Sequence, residues 1–394
     1  MKILWLKTDF LHPTQKGGQI RTLEMLKRLR QRHEIHYVAL DDGAFPESVP
    51  RAAEYSTRAY AVPHRAPPRL SLSFAAQLAA NFFSPLPLSL ARYRVSALRE
   101  TVQNVLHRES PDAMVCDFLT PAVNLDDLAP WILFQHNVET MIWRRHAETA
   151  ADPLRKAYFR NQADKMFRVE GDVCRRVRKV IAVSPTDSRT HQELFGLAAA
   201  PNVPTGVDVE SLTPSAPLPV ETDLVFVGSM DWMPNIDGII FFLDEILPLI
   251  RRKRPQCSLT IAGRQPPASL KSRAAADPML RVTGTVADVR PYLWSAAVSI
   301  VPLRVGGGTR LKIYESMAAK TPVVSTSIGA EGLDIHPPRD IRIADTPEAF
   351  AEACLDLLDD AGLRRNMADA AWSMVSSCYS WQRVADEFER LILS

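Results

Sequence analysis

The sequence predicts an α/β protein with two doubly wound domains. Short apolar strands alternate with helical segments along both halves of the 394-residue chain, which is the pattern that parallel βαβ units produce. A proline-rich, weakly periodic stretch at 198–223 separates the halves and has the character of an interdomain linker. Each half also has a glycine-containing loop between a strand and a helix, as doubly wound domains do. We therefore expect an N-terminal domain over 1–200 and a C-terminal domain over 201–378.

The first domain opens with a buried strand at 3–6, a loop ending in Gly17-Gly18, a helix to position 33 and a strand at 35–40. Further strands are expected at 113–116, 131–134 and 180–183. The glycine pair is a weak signal by itself, because a tight strand-to-helix turn would explain it equally well. His136 follows the 131–134 strand, where ligands bind in open α/β sheets. A histidine at a strand end is also common as a simple turn residue.

Two features of the first half bear on the surface of the first domain, namely the segment 63–90 and the excess of basic residues. The stretch 70–83 is apolar, so it forms either an inserted helical pair that covers the sheet or a patch that touches a membrane or lipid-linked substrate. Residues 1–200 carry 28 Lys+Arg and 21 Asp+Glu, a balance of +7, and residues 201–394 carry 19 and 24, a balance of −5. The basic half fits an acidic partner, an anionic membrane or merely scattered solvated arginines. It is too diffuse to predict nucleic-acid binding.

The second domain repeats the alternation of strands and helices. Strands are expected at 224–227, 259–262, 281–283, 298–301, 323–324 and 341–343. Between the first two strands, apolar residues from Ile236 to Ile250 recur at helical spacing and would pack on the sheet. After the 298–301 strand come Gly306, Gly307 and Gly308, and Thr309 can cap a helix over 310–319.

A glycine loop that opens at a helix N-terminus is suited to bind a phosphate. Arg310 and Lys312 lie in the first helical turn, where each exposed cation opposes the helix dipole by roughly 0.3–1 kcal/mol. An anion bound between them would explain why they are there. Glu315, in the second turn, could accept two hydrogen bonds from a vicinal diol such as a ribose. The alternative is an ordinary surface helix with a flexible loop and a solvent-facing acid.

Several classes of protein lack their sequence signatures in this chain. The five cysteines are widely spaced and odd in number, so neither a disulfide framework nor a zinc site is expected. No G-x-G-x-x-G follows a strand, and the P-loop motif, a metal-holding D-x-D and G-x-S-x-G are absent. The segment MKILWLKTDF is a charged strand pattern rather than a signal peptide, and no run has the ~18 apolar residues that a membrane helix needs. We therefore expect a cytoplasmic protein.

Taken together, these stretches resemble the GT-B glycosyltransferases, within the large family 4 of retaining enzymes of bacterial cell-surface polysaccharide assembly. The most specific match is the glycine loop followed by Y-E-S-M-A within 303–333. Other matches are at 203–208, 224–237, 259–263 and 282–290, and in the first half at Gly17-Gly18, 136–139 and 180–184. The resemblance implies two Rossmann-like domains facing across a cleft, with a last helix, 379–394, that packs back on the first domain.

The resemblance also implies roles for individual residues. Glu315 matches the second glutamate of the family's Glu, seven residues, Glu pattern, which holds the nucleotide ribose. Arg310 and Lys312 would contact the diphosphate, and His136 would lie near the donor sugar. The other donor-binding positions implied are Gly17, Gly18, Gly228, Gly307, Gly308 and Thr309.

The chain departs from the family pattern at three places, one of which is Thr205, where the common N-G-V-D has an asparagine. The first glutamate of the pattern, which usually contacts the donor sugar, falls at Gly307. The basic residues that commonly follow the V-G ending at Gly228 are missing, because the loop reads Ser229-Met230-Asp231-Trp232. Arg310 and Lys312 are candidates to replace those basic residues.

The activity implied is transfer of a sugar from a nucleotide-diphosphate donor to a glycan or lipid-linked acceptor, with retained configuration and without a metal or a cofactor. Catalytic roles are expected for His136, Arg310 and Lys312. The partners implied are the nucleotide sugar, the acceptor and, through the basic first domain, the anionic inner face of the membrane.

Two alternatives stay open. One is a nucleotide-sugar epimerase of the same architecture, and the other is a non-catalytic partner protein that binds a sugar nucleotide, an alternative that Gly307 keeps open.

Overall fold

The computed structural model of the chain describes residues 1–14, 17–65, 77–78, 80–150, 152–216, 218–305 and 311–394. The chain divides into two compact units, one of Met1–Pro204 with Val384–Ser394 and one of Thr205–Arg383. The chain passes between units in the proline-rich stretch and within the last helix; the sequence placed these boundaries after 200 and after 378. Each unit is an α/β structure with one six-stranded parallel sheet, so the predicted fold class is confirmed.

The first unit contains strands β1 (Lys2–Leu6), β2 (Glu34–Asp41), β3 (Arg58–Pro63), β4 (Ala113–Asp117), β5 (Trp131–Phe134) and β6 (Lys179–Ile181). They form one sheet in the order β3-β2-β1-β4-β5-β6. The helices are α1 (Gly17–Leu29), α2 (Leu88–Ala91), α3 (Ser96–Glu109), α4 (Glu139–Thr149), α5 (Pro153–Arg176) and α6 (Pro185–Phe195), with 3₁₀ turns at Pro50–Glu54 and Thr120–Asn124. The sequence did not predict β3, because this edge strand is largely exposed and has no buried apolar run.

The core of the first unit explains the apolar runs. Strands β1 and β5 are buried on both faces, which is expected of a parallel sheet covered by helices. Leu98 and Val102 of α3 and Met166 of α5 are among the helix residues that pack in the same core. Each fully buried side chain of this size contributes about 1.5–3 kcal/mol. Of the predicted apolar stretch 70–83, the structure describes 77–78 and 80–83.

The second unit contains strands β7 (Thr222–Val227), β8 (Leu259–Ala262), β9 (Leu280–Gly284), β10 (Ala296–Val301), β11 (Val323–Ser325) and β12 (Arg342–Ile343). Its sheet order is β12-β11-β10-β7-β8-β9. The helices are α7 (Val209–Leu212), α8 (Met233–Phe241), α9 (Leu247–Lys253), α10 (Ala268–Ala276), α11 (Arg290–Trp294), α12 (Leu311–Ala318), α13 (Pro347–Asp359), α14 (Ala361–Cys378) and α15 (Trp381–Leu393), which continues into the first unit. A π-helical turn at Phe242–Ile246 joins α8 to α9, so the predicted apolar stripe packs as one helical segment.

Both sheets reverse their strand order at one point. Numbered within its own sheet, each follows the order 3-2-1-4-5-6, and the reversal lies between β1 and β4 in the first unit and between β7 and β10 in the second. In doubly wound sheets, ligands bind beyond the carboxyl ends of the strands at this reversal. A ligand site is therefore expected at the loops that follow these four strands.

A buried carboxylate ties the reversal point of the first unit together. Asp117 is the last residue of β4, and its Oδ2 atom lies 2.9 Å from Nζ of Lys7, just beyond β1. The same oxygen accepts hydrogen bonds from Nε1 of Trp5 at 3.0 Å and Oγ1 of Thr22 at 2.6 Å. Oδ1 lies 2.8 Å from Nε2 of His136. Burial raises the pKa of Asp117, but the Lys7 ammonium and then His136 outweigh it and hold the pKa well below its usual range.

Replacing Asp117 with asparagine should destabilise the protein strongly. The variant leaves the Lys7 ammonium buried without a counter-charge, which typically costs 3–5 kcal/mol. We expect the midpoint of urea unfolding at pH 7, monitored by circular dichroism, to fall clearly below that of the wild type. Asp126→Asn is the matched control, because Asp126 pairs with Arg99 at the surface and should lose at most about 1 kcal/mol. Equal midpoints for the two variants would contradict this description of the Asp117 cluster.

Candidate functional site

Gly18, Phe118 and His136 meet at the carboxyl edge of the first sheet. The buried His136 ring stacks on Phe118 with centroids 4.0 Å apart and an interplanar angle of 23°. A Cβ atom at Gly18 would lie 2.9 Å from the Phe118 ring and 3.4 Å from Nδ1 of His136, so a glycine is needed there. A Cβ at Gly17 would meet no atom within 4 Å, and the structure gives no steric reason for glycine at that position.

The His136 imidazole is neutral near pH 7. Burial lowers its pKa to about 3, against the opposing effect of Asp117. We assign the proton to Nε2, because that atom faces the Asp117 carboxylate. Nδ1 is then a hydrogen-bond acceptor beside Gly18, and no described group bonds to it. The arrangement leaves Nδ1 as a buried acceptor without a partner in the described part of the chain.

A second buried acid holds the segment that carries His136. Glu170 of α5 accepts hydrogen bonds from Nε2 of Gln135 at 3.0 Å, the backbone N–H of Glu139 at 2.9 Å, and the backbone N–H and hydroxyl of Thr140 at 2.8 and 2.6 Å. It thereby caps the N-terminus of α4. Burial and then Glu170 raise the pKa of Glu139 to about 7. The sequence missed this network, since nothing local to position 170 points to residues 30 or more positions away.

A pocket of about 500 Å³ opens beside this edge, entirely within the first unit. Its lining includes Lys7, Asp9, Gly18, Phe118 and Glu139. This volume falls within the usual range for small-molecule sites. The pocket therefore adds Asp9 and Glu139 to the residues available for contacting a ligand.

Arg21 is a further residue that the sequence did not single out. It lies one turn after Gly18 on α1, is only 9% exposed, and its Nε atom has no hydrogen-bond partner in the described part of the chain. Burial lowers its pKa to about 10, opposed by Asp117 and Asp187. An arginine inside a charged helix is usually a surface residue, so only the structure shows that this cation is buried.

In the second unit, Gly228 and Lys312 lie together just beyond the end of β7. Nζ of Lys312, from α12, donates a hydrogen bond of 2.7 Å to Oδ1 of Asn235 and lies 4.5 Å from the centre of the Phe226 ring. Nδ2 of Asn235 in turn donates to the carbonyl oxygen of Ser229 at 2.8 Å. A Cβ at Gly228 would lie 2.8 Å from both Nζ of Lys312 and Nδ2 of Asn235. The absence of a side chain at Gly228 therefore lets the ammonium group reach this loop.

Glu315 lies on the same helix, three residues after Lys312. Burial raises the pKa of Glu315, and the Lys312 ammonium partly offsets that effect. Within the described residues, no hydrogen bond reaches the Glu315 carboxylate. The other predicted residues of this loop, Gly307, Gly308, Thr309 and Arg310, lie outside the described residues, and their roles stay predictions.

One potential metal-ligand group occurs in the part of the chain that the structure describes, at Glu34, His36 and Glu109. It lies at the start of β2, away from the carboxyl ends that carry His136. Glu109 is already paired with Lys2 at 3.4 Å and Arg58 at 3.1 Å. We interpret the group as an ion-pair network.

Comparisons with known proteins agree with this architecture. Residues 221–360 match the family described as Glycosyl transferases group 1. An "Uncharacterized 44.6 kDa protein in cps region" of Klebsiella pneumoniae is 24% identical over 169 residues, which cover 41% of this chain and 44% of the relative. The aligned segment thus spans less than half of either protein. Among the described residues, no helix is long and apolar enough to cross a bilayer.

Solved structures match over nearly the whole chain. Sucrose-phosphate synthase from Thermosynechococcus elongatus has a TM-score of 0.66 at 16% identity and covers 99% of this chain and 98% of its own. HepE of Anabaena, solved with UDP-glucose, has a TM-score of 0.63 at 14% identity and covers 99% of both chains. At such identities the likeness shows the fold alone, and the chain as a whole has the GT-B fold. By the family match, residues 221–360 form a glycosyl transferases group 1 domain.

Proposed function

We propose that this protein transfers a sugar from a nucleotide-diphosphate donor to a glycan or lipid-linked acceptor, with retained configuration, in cell-surface polysaccharide assembly. The observation that carries the proposal is the Lys312 ammonium held at the reversal point of a glycosyl transferases group 1 domain. The UDP-glucose bound to HepE supports a UDP-type donor. The relative from a cps region supports the polysaccharide role.

The proposed chemistry depends on stabilising the leaving diphosphate. When the bond from the sugar to the diphosphate breaks, negative charge builds on the phosphate oxygens. Fixed cations and helix N–H groups aimed at those oxygens lower the barrier. We assign this role to Lys312 and Arg310, with the backbone of Gly307, Gly308 and Thr309, and assign the ribose to Glu315. Neither a metal nor a separate cofactor takes part in this proposal.

We assign the donor sugar to the edge of the first unit that carries His136. The unpartnered Nδ1 atom of His136 suits a sugar hydroxyl, because a neutral imidazole nitrogen accepts a hydrogen bond from an O–H group and brings no charge to the site. Gly18 has no Cβ atom, so the Phe118 and His136 rings fit against it. We propose that a ligand can approach the Gly18 backbone for the same reason. The Asp117 carboxylate fixes the ring and its tautomer.

We also propose peripheral binding to the anionic inner face of a membrane. Phe82 and Phe83 are 60% and 89% exposed. Buried Lys165 of α5 donates hydrogen bonds to the carbonyl oxygens of Asn81 and Phe82 at 2.6 and 3.1 Å, and so fixes the turn that carries both rings. The same helix carries exposed Arg155, Arg160 and Arg168. Such cations each contribute about 1 kcal/mol at an anionic lipid surface.

Titration calorimetry with UDP, GDP and the matching nucleosides tests the donor site. Lys312→Met and Arg310→Ala should weaken diphosphate binding by roughly ten- to a hundredfold, because a hydrogen bond to a charged group contributes about 1.5–3 kcal/mol, and should barely change nucleoside binding. Glu315→Gln should weaken both ligands alike, since both contain the ribose. Lys320→Ala is the matched control, because its ammonium pairs with Asp369 at the surface. Equal losses of nucleotide and nucleoside in the Lys312 and Arg310 variants would refute the diphosphate assignment.

Flotation with lipid vesicles tests the membrane proposal. The protein should float with phosphatidylglycerol vesicles at low salt and much less with phosphatidylcholine vesicles, because salt and neutral lipid remove the electrostatic attraction. The double variant Phe82→Ser with Phe83→Ser should float less, while Val220→Ser, an exposed apolar position in the second unit, should behave as wild type. Absence of flotation in the wild type would leave a soluble acceptor as the better hypothesis.

A further inference from the structure

Arg264 brings a cation to the loop whose usual basic residues are missing. It lies two residues beyond β8, and its Nε atom donates a hydrogen bond of 2.7 Å to Oγ of Ser229. Its Nη2 atom lies 3.2 Å from Oδ2 of Asp231. Ser229 and Asp231 belong to the loop after β7, where the family pattern has cations and this chain has none.

Close contact between two backbones places Arg264 there. A Cβ atom at Gly263 would lie 1.8 Å from the carbonyl oxygen of Gly228, so only glycine fits at position 263. The backbone pairing of β7 with β8 also continues past the strand ends. The N–H of Gly228 donates a hydrogen bond to the carbonyl oxygen of Ala262 at 3.0 Å, and the N–H of Met230 donates to the carbonyl oxygen of Arg264 at 2.9 Å. The position of Arg264 is therefore set by the sheet and not by a flexible loop.

Ser229 connects Arg264 with Lys312. The Ser229 hydroxyl accepts from Arg264, and its carbonyl oxygen accepts from Asn235, which itself accepts from Lys312. At the reversal point of the sheet, Arg264 therefore contacts Ser229 directly, and Lys312 is connected to Ser229 through Asn235. The Arg264 side chain is nevertheless 61% exposed, and the described partners use two of its five N–H donors. The remaining donors are available to a ligand.

We propose that Arg264 binds the diphosphate of the donor together with Lys312, in place of the basic residues that the β7 loop lacks. This inference rests on the proposed function. A guanidinium group matches phosphate oxygens with two parallel N–H donors. Asp231 orients the Arg264 guanidinium group when no ligand is bound. The Asp231 carboxylate itself repels an incoming phosphate, because both are negatively charged. The two partners of this ion pair therefore have opposite effects on diphosphate binding.

That opposition separates the proposal from a purely structural ion pair. Titration calorimetry with UDP, GDP and their nucleosides compares the wild type with Arg264→Gln, Asp231→Asn and Arg273→Gln. Arg264→Gln should weaken diphosphate binding at least tenfold and nucleoside binding less than twofold, as expected for a lost charged hydrogen bond. Asp231→Asn should leave diphosphate binding unchanged or tighter. Arg273→Gln is the control, because Arg273 pairs with Asp244 elsewhere on the second unit.

Two results would overturn the inference alone: wild-type affinity in Arg264→Gln while Lys312→Met is impaired, or equal losses in Arg264→Gln and Asp231→Asn. Failure of the wild type to bind either nucleoside diphosphate would overturn the proposed function and this inference together. Circular dichroism of each variant confirms that the second unit is folded before binding is compared.

Discussion

The buried ion pair of Asp117 with Lys7 is the interaction on which the candidate site of the first unit depends. Removing two charges from water costs several kcal/mol per ion, and only close pairing with further hydrogen bonds recovers that cost. Trp5 and Thr22 supply those bonds. The cluster therefore fixes β1, β4, α1 and the segment after β5 relative to one another. The position and tautomer of His136 follow from that geometry, as does the fit of Gly18 against Phe118.

The two units have the same strand order, but the side chains beyond their strands carry different charges. In the first, the carboxylate of Asp117 offsets the buried cations, and the histidine beside it is neutral. In the second, Lys312 and Arg264 reach the loop after β7, with Asp231 as the acid in contact with Arg264. A neutral acceptor suits sugar hydroxyls, and a pair of cations suits a diphosphate. The difference lies in which side chains follow the strands, since both sheets have the same topology.

Most of the fold was predictable because local patterns encode it. Buried strands such as β5 and β8 appear as short apolar runs between turn residues, and the stripe from Ile236 to Ile250 has helical spacing. The edge strand β3 was missed because its exposed side chains carry no such run. The predicted positions Gly18, Gly228, Lys312 and His136 lie at the carboxyl edges of their sheets, as the order of strands and motifs implied.

The partners of these residues were not predictable from sequence. Asp117 ends an ordinary strand, Glu170 lies inside a charged helix, and Arg264 comes directly after the matched stretch 259–263, at a position to which the resemblance assigned no role. Glu170 and Arg264 contact residues 30 or more positions away in the chain. The contacts of Asp117 extend from His136, 19 positions away, to Trp5, 112 positions away. Such contacts depend on strand order and backbone approach, as at Gly263 against Gly228, and single-sequence periodicity contains neither.

A donor-turnover assay tests the central claim, sugar transfer from a nucleotide-diphosphate donor, most directly. The protein is incubated with a panel of UDP- and GDP-sugars, with and without membrane-extracted glycan acceptors, and released nucleoside diphosphate and sugar products are resolved by chromatography. Sugar transfer predicts release of nucleoside diphosphate from at least one donor, enhanced by acceptor and strongly reduced in His136→Ala. Interconversion of sugar nucleotides without release of diphosphate would instead identify an epimerase. Binding without any turnover would identify a non-catalytic protein, and either outcome would contradict sugar transfer as the function of this chain.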